Sequence, residues 1–379
     1  MAEAANAAVW RERGRTWAIT AGSIVLALIA GAVLMVVSDP DVITQYAYLF
    51  TAPGLPLGAS WAKVSSAYGA LVLGAVGSPN ALAATAWQAA PLICAGLGVG
   101  LGFRAGLFNI GAQGQAIWGS IAAAYLGFAL QLPPVIHLIV AVIGGLIAGA
   151  IWGGIVGFLK ARTGAHEVIV TIMLNFMILA LLNWIVASRL HEPETVHTPA
   201  IRAGAFPRLS ETFSALHGSA ANHTIVVAVL VAVLVTIVLF RSRFGFDLRA
   251  VGAQPDAAES GGIRVGRVWI QSLALAGALA GMGGANFVLG YKGYYEDGLA
   301  GGAGFMGIAV ALVGKNHPGG VALAALLFAT LSQGGLAIHA AVPKQLVEVL
   351  QATVILAMAA IAPVVRHLLE QRRAVEVDA

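Results

Sequence analysis

The sequence has few charged residues and almost no cysteine, and both shortages narrow what the chain can be. Asp, Glu, Lys and Arg make up only 10% of its 379 residues, whereas a soluble domain carries about 25%. The formal net charge is +4, but so few cations cannot form the broad basic face of a nucleic-acid-binding protein. The single cysteine, Cys94, excludes an intrachain disulfide framework and a thiolate metal site.

The sequence also lacks motifs for ATP hydrolysis and for metal catalysis. Gly314 and Lys315 resemble the end of a phosphate-binding loop, but Asn316 stands where Ser or Thr would hold magnesium. There is no His-Glu-x-x-His motif, and the nine histidines are scattered over loops and helix ends. We therefore expect no enzyme activity, no bound metal and no other cofactor.

Long uncharged segments dominate what is present, because hydrophobic residues make up 59% of the chain. A window of about 20 apolar residues crosses the hydrocarbon as a helix. We predict an all-α, polytopic integral membrane protein with about ten transmembrane helices. The predicted spans lie near residues 17–37, 81–102, 108–130, 135–159, 168–188, 224–240, 268–290, 303–314, 320–338 and 346–365. The span 303–314 is short enough to be a half-helix or a re-entrant segment instead.

Basic residues determine the predicted orientation. With the N-terminus inside, the spans place fifteen of the 21 Lys and Arg residues on the cytoplasmic side, which is the bias of the positive-inside rule. Both termini are then cytoplasmic. Residues 1–379 form one transmembrane domain with external loops at 38–80 and 189–223 and a cytoplasmic loop at 241–267.

Uncharged polar residues inside the predicted spans are the candidate functional residues. They are costly in hydrocarbon and face a bundle interior or a cavity. Asn109 and Gln113 are four residues apart and share a helix face, and Asn175 and Asn286 lie in other spans. Two interpretations are open: these side chains line a path for a neutral solute, or they form hydrogen bonds that hold helices together.

Small residues recur at a spacing that predicts close helix packing. Gly145, Gly149, Gly153 and Gly157 stand at every fourth position of one predicted span. Small residues on one face let two helix backbones approach each other closely in a membrane. We expect this helix to pack tightly against a neighbour.

The cytoplasmic loop contains the pattern of a short helix. Pro255 suits a first helical position, Asp256 suits the positive end of the helix dipole, and Gly262 suits the stop. Such a helix, flanked by basic residues, is either a docking surface for a cytoplasmic partner or an interfacial linker.

Three segments together carry a resemblance to a known family. They are GLFNIGAQGQ at 106–115, HEVIVTIMLN at 166–175, and RAVGAQPDAA at 249–258 with Gly262 and Ile263. They resemble the nucleoside permease subunits of ABC importers, within the branched-chain amino acid and ribose permease superfamily. The match covers roughly residues 60–365 in the same order.

The resemblance implies a multi-pass permease of the bacterial inner membrane that moves a nucleoside by alternating access, powered by a cytoplasmic ATP-binding subunit. It also implies a second permease subunit, related or identical, and an external substrate-binding lipoprotein. The loop 241–267 would be the coupling segment. Its implied contact residues are Pro255, Asp256, Ala257, Ala258, Gly262 and Ile263. A simple-sugar permease subunit is the alternative. An ion-coupled secondary transporter would need embedded ionisable residues, which the predicted spans nearly lack.

Overall fold

The computed structural model describes residues 22, 24–201, 203–216, 219, 221–338, 345 and 347–357. Helices dominate these residues, and the β contact between Arg208 and Asn222 is an isolated bridge. The main helices are α1 (Ile24–Val37), α2 (Gly54–Val76), α3 (Pro79–Arg104), α4 (Ala112–Ala129), α5 (Pro134–Thr163), α6 (Glu167–Ile185), α7 (Thr224–Arg241), α8 (Arg243–Ala253), α9 (Pro255–Ser260), α10 (Val265–Asn286), α11 (Ala303–Val313), α12 (Pro318–Ala337) and α13 (Val347–Ala357). The predicted all-α architecture is confirmed over this part of the chain.

Six helices within the described ranges are long and apolar enough to cross a membrane. They are α3, α5, α6 extended to Leu190, α7, α10 extended to Lys292, and α12. A seventh span is formed if α1 is joined to Pro40–Tyr48, to which it is bent by 78°. The total of ten spans and the cytoplasmic termini stay predictions. Residues 1–21 and 358–379, which carry the terminal basic residues, lie outside the described part of the chain.

Two elements differ from the sequence prediction. Helix α2 has 23 residues and lies where the external loop 38–80 was expected, because Lys63 and its serine neighbours interrupt the apolar run. Helix α4 begins at Ala112, so residues 105–111 are a loop and not the first turn of a span. Helix α11 matches the predicted short segment 303–314: its 11 residues make about 16 Å, or about half of the hydrocarbon thickness.

The chain divides into two compact units, one of residues 78–329 and the other of the remaining described residues. In the second unit, the Tyr68 hydroxyl donates to the Leu28 carbonyl oxygen at 2.6 Å. Gln351 Nε2 donates to Ser332 Oγ at 2.9 Å. These bonds join α1 to α2 and the end of α12 to α13.

The unit of residues 78–329 is built around α10, which crosses α5 at a glycine contact. A Cβ atom added at Gly277 would lie 2.1 Å from the Gly149 carbonyl oxygen, and one added at Gly153 would lie 2.1 Å from that of Leu273. The two backbones touch, with no room for side chains between them. The packing predicted from the glycine spacing is confirmed, and the neighbour is α10.

Candidate functional site: a polar loop between α3 and α4

The loop 105–111 is folded by its own polar side chains. Asn109 Nδ2 donates to Gln115 Oε1 at 3.0 Å, and Gln115 Nε2 donates back to Asn109 Oδ1 at 3.2 Å. Asn109 Oδ1 also accepts from the Gly111 amide at 3.1 Å, which closes a local turn. Both amide side chains are buried, so each provides the hydrogen bonds that water would provide at an exposed position.

Helix α6 fixes the same loop through two buried residues. Asn175 Oδ1 accepts from the Gly114 amide at 2.9 Å, and its Nδ2 donates to the Ile110 carbonyl oxygen at 3.1 Å. Glu167 accepts from the Phe108 amide at 3.4 Å and from Lys160 Nζ at 2.7 Å. Lys160 therefore balances the charge of the buried Glu167 carboxylate. A buried charge at the end of a membrane helix requires such a partner.

Gln113 connects α4 to the half-helix α11. Its Oε1 accepts from the Gly304 amide at 2.9 Å, one of the first amides of α11 that have no partner within the helix. A Cβ atom at Gly304 would lie 2.3 Å from Gln113 Cα. The N-terminal ends of α4 and α11 thus meet in direct backbone contact.

The structure brings three of the four predicted path residues together and places the fourth elsewhere. Asn109, Gln113 and Asn175 surround the loop 105–111, and each makes hydrogen bonds within the chain. Asn286 instead lines a cavity together with Phe206 and Thr224, with about 10 Å³ of room. That is about the space of one water molecule, too little for a larger solute. A substrate-path role for the four residues stays a prediction.

Sequence reasoning missed a second polar junction, at the start of α7. Asn222 is fully buried; its Nδ2 donates to the Gly290 carbonyl oxygen, and its Oδ1 accepts from the Thr224 amide at 3.0 Å. It falls in the segment 189–223 that was predicted to be an external loop. The available signal was an Asn just before an apolar run, a typical helix-capping pattern.

The loop 241–267 contains the short helix that the sequence predicted. Gln254 is extended, Pro255 occupies the first helical position of α9, and Gly262 has a φ of +86° at the stop. Pro255, Asp256, Ala257 and Gly262 are exposed and Ile263 is half-buried, whereas Ala258 is only 6% exposed. Ala258 therefore faces the chain's own interior. Docking by this segment stays a prediction, with Asp256 and Ala257 as its outward residues.

Comparison with known proteins identifies the chain. A family model described as the permease component of branched-chain amino acid transport systems matches residues 81–359. The chain belongs to this family. It is 39% identical to the guanosine ABC transporter permease protein NupP of Bacillus subtilis, over 89% of this chain and 91% of that protein.

Two further relatives extend the comparison. The nucleoside ABC transporter permease protein NupB of Lactococcus lactis is 36% identical, over 76% of this chain and 81% of that protein. A glucose ABC transporter permease of Haloferax volcanii is 33% identical over 76% and 79%. No solved structure matches. The chain is accordingly a multi-pass permease of an ABC import system, as the three sequence motifs predicted.

Proposed function

We propose that this permease carries a nucleoside across a bacterial inner membrane. The observation that carries the proposal is the 39% identity to a guanosine permease along almost the whole of both chains. The site agrees with it chemically, because the loop 105–111 and its partners present neutral amide groups. The one charged pair there, Lys160 with Glu167, is internally neutralised. Amides hydrogen-bond to a base edge or a ribose hydroxyl without the cost of burying a charge.

The proposed transport cycle is alternating access driven by a partner ATPase. The ATPase docks on the exposed surface of α9, and an external lipoprotein delivers the substrate. A second permease subunit, related or identical, completes the pathway. Asn109, Gln113, Asn175 and Asn286 line the substrate path when the pathway opens. The cavity at Asn286 must widen for this to happen.

A simple sugar is the second candidate substrate, since a glucose permease is 33% identical to this chain. Nucleosides and sugars are both neutral and polyhydroxylated, so the amide groups suit either. A nucleoside also has a flat base that stacks on aromatic rings. Competition for uptake between nucleosides and sugars separates the two classes.

The test is uptake by the complete complex in proteoliposomes, with ATP on the ATPase side and the external receptor supplied. We expect ATP-dependent accumulation of labelled guanosine that unlabelled nucleosides inhibit and that glucose and ribose leave unchanged. Collapse of proton and sodium gradients should leave uptake intact. Inhibition by sugars alone would move the assignment to the sugar class, and uptake that follows an ion gradient without ATP would overturn the proposal.

A further inference from the structure

The segment 104–113 holds the half-helix α11 at both of its ends. Just after the C-terminal end of α11, Arg104 Nε donates to the Asn316 carbonyl oxygen at 2.6 Å. At the N-terminal end, Gln113 Oε1 accepts from the Gly304 amide at 2.9 Å. Displacement of this segment would therefore act on α11 near both of its ends.

The hairpin formed by α8 and α9 is in close contact with the start of this segment. A Cβ atom added at Gly252 would lie 2.0 Å from the Arg104 carbonyl oxygen and 3.0 Å from the Gly106 amide nitrogen. Gly106 has a φ of +73°, which favours glycine. The hairpin and the segment thus touch backbone to backbone, with no flexible side chain between them to absorb a movement.

Side chains reinforce this contact on its other side. The guanidinium groups of Arg104 and Arg249 lie 5.2 and 5.3 Å from the centre of the Phe240 ring at the end of α7. Such cation–π contacts orient both arginines. Arg104 therefore joins the hairpin, the end of α7 and the end of α11.

The segment is stiff between its two ends. The reciprocal Asn109–Gln115 pair and both hydrogen bonds of Asn175 fix its backbone. Glu167 holds the Phe108 amide as well. A close-packed, internally bonded element transmits a displacement and does not dissipate it.

We propose that the segment 104–113 transmits movement of the α8–α9 hairpin to α11, and that Arg104 and Gly252 are positioning residues for this coupling. The inference rests on the proposed function, because a partner that hydrolyses ATP must move the hairpin. It adds the route by which that movement reaches the half-helix beside Gln113.

The decisive measurement is the amount of nucleoside transported per ATP hydrolysed, in the reconstituted complex. Arg104→Gln removes the cation and weakens the bond to Asn316, and we expect this ratio to fall about three- to tenfold while ATP hydrolysis continues. Arg104→Lys, which keeps a cationic donor, should recover part of the ratio. The matched control is Arg162→Gln, which removes another cation–π pair, with Phe158 at 6.0 Å, at the end of α5.

A second pair of variants tests the backbone contact. Gly252→Ala should lower the ratio, whereas Gly119→Ala, whose Cβ would lie 2.4 Å from Gly281 Cα, should lower the amount of folded protein and leave the ratio unchanged. Proportional loss of transport and hydrolysis in Arg104→Gln and Gly252→Ala would overturn the proposal. Should Gly252→Ala fail to fold, the Arg104 variants decide. Absence of ATP-driven uptake by the unmodified complex would instead refute the proposed function.

Discussion

In the unit 78–329, the helices buried inside the protein are less hydrophobic than the helices on its outside, which is the reverse of a soluble protein. In α3 and α10, 72% and 78% of the most apolar window is buried inside the protein, whereas α5, α6 and α7 have 28% buried. The three outer helices are also the more hydrophobic. Lipid is as apolar as leucine, so burial of large apolar side chains drives no helix association here. Backbone proximity and hydrogen bonds stabilise the inner helices instead.

Helix α5 shows the same contrast on its two faces. Its glycine face touches the α10 backbone at Gly149 and Gly153. Its isoleucine face includes Ile143, Ile147 and Ile151, which are 49%, 53% and 57% exposed. We therefore expect the smallest residues of the helix to matter most for stability and the largest to matter least.

The largest effect is expected at the α5–α10 crossing. Gly277→Val would place its Cβ 2.1 Å from the Gly149 carbonyl oxygen, so the helices must separate. We expect a loss of about 3 kcal/mol or more, measured as a lower thermal midpoint and a lower yield of folded protein in lipid nanodiscs. Gly154→Ala is the control, since its Cβ would lie 3.6 Å from Ala274, an ordinary contact. Equal midpoints for the two variants would show that this crossing is not close-packed.

The contrast also explains which features the sequence predicts. Apolar length identifies α5, α6 and α7, and glycine spacing identifies the packed face of α5. Helix α2 is missed because Lys63, paired with Asp39 at 2.6 Å, interrupts its apolar run. The start of α4 is misplaced because the hydrogen bond from Gly111 to Asn109 makes a turn that hydropathy does not detect.

The candidate site is predictable in its members but not in its contacts. Asn109, Gln113 and Asn175 stand out as polar residues in apolar segments. The partner of Gln113 is Gly304, 191 residues away, and a glycine amide gives no signal in the sequence. Likewise, nothing in the spacing of Gly106 and Gly252 indicates that they touch, since their contact arises only when α8 folds back.

An intermediate effect is expected at Asn175, whose removal leaves the Gly114 amide and the Ile110 carbonyl oxygen without their partner. Asn175→Ala should cost about 1 to 3 kcal/mol, measured by thermal unfolding. Met173→Ala is the control, because Met173 lies on the outer face of the same helix, 57% exposed. Uptake of several nucleosides and ribose per folded protein then separates two roles. An unchanged substrate ranking indicates a structural side chain, and an altered ranking places Asn175 in the substrate path.

The smallest effect is expected on the isoleucine face of α5. Ile147→Leu keeps the apolar surface and suits a helix at least as well, and lipid chains adapt to either shape. We expect a change in unfolding free energy below about 0.5 kcal/mol and unchanged uptake by the complex.

The measurement also tests what covers this face in the assembled transporter. A protein partner packed on Ile147 would detect the change in branching, because interfaces between close-packed helices tolerate a shape change less well than lipid does. Thermal unfolding of the isolated permease should then be unaffected while the complete complex dissociates at a lower temperature. That result would assign the isoleucine face to the second permease subunit, whereas equal behaviour of both samples assigns it to lipid.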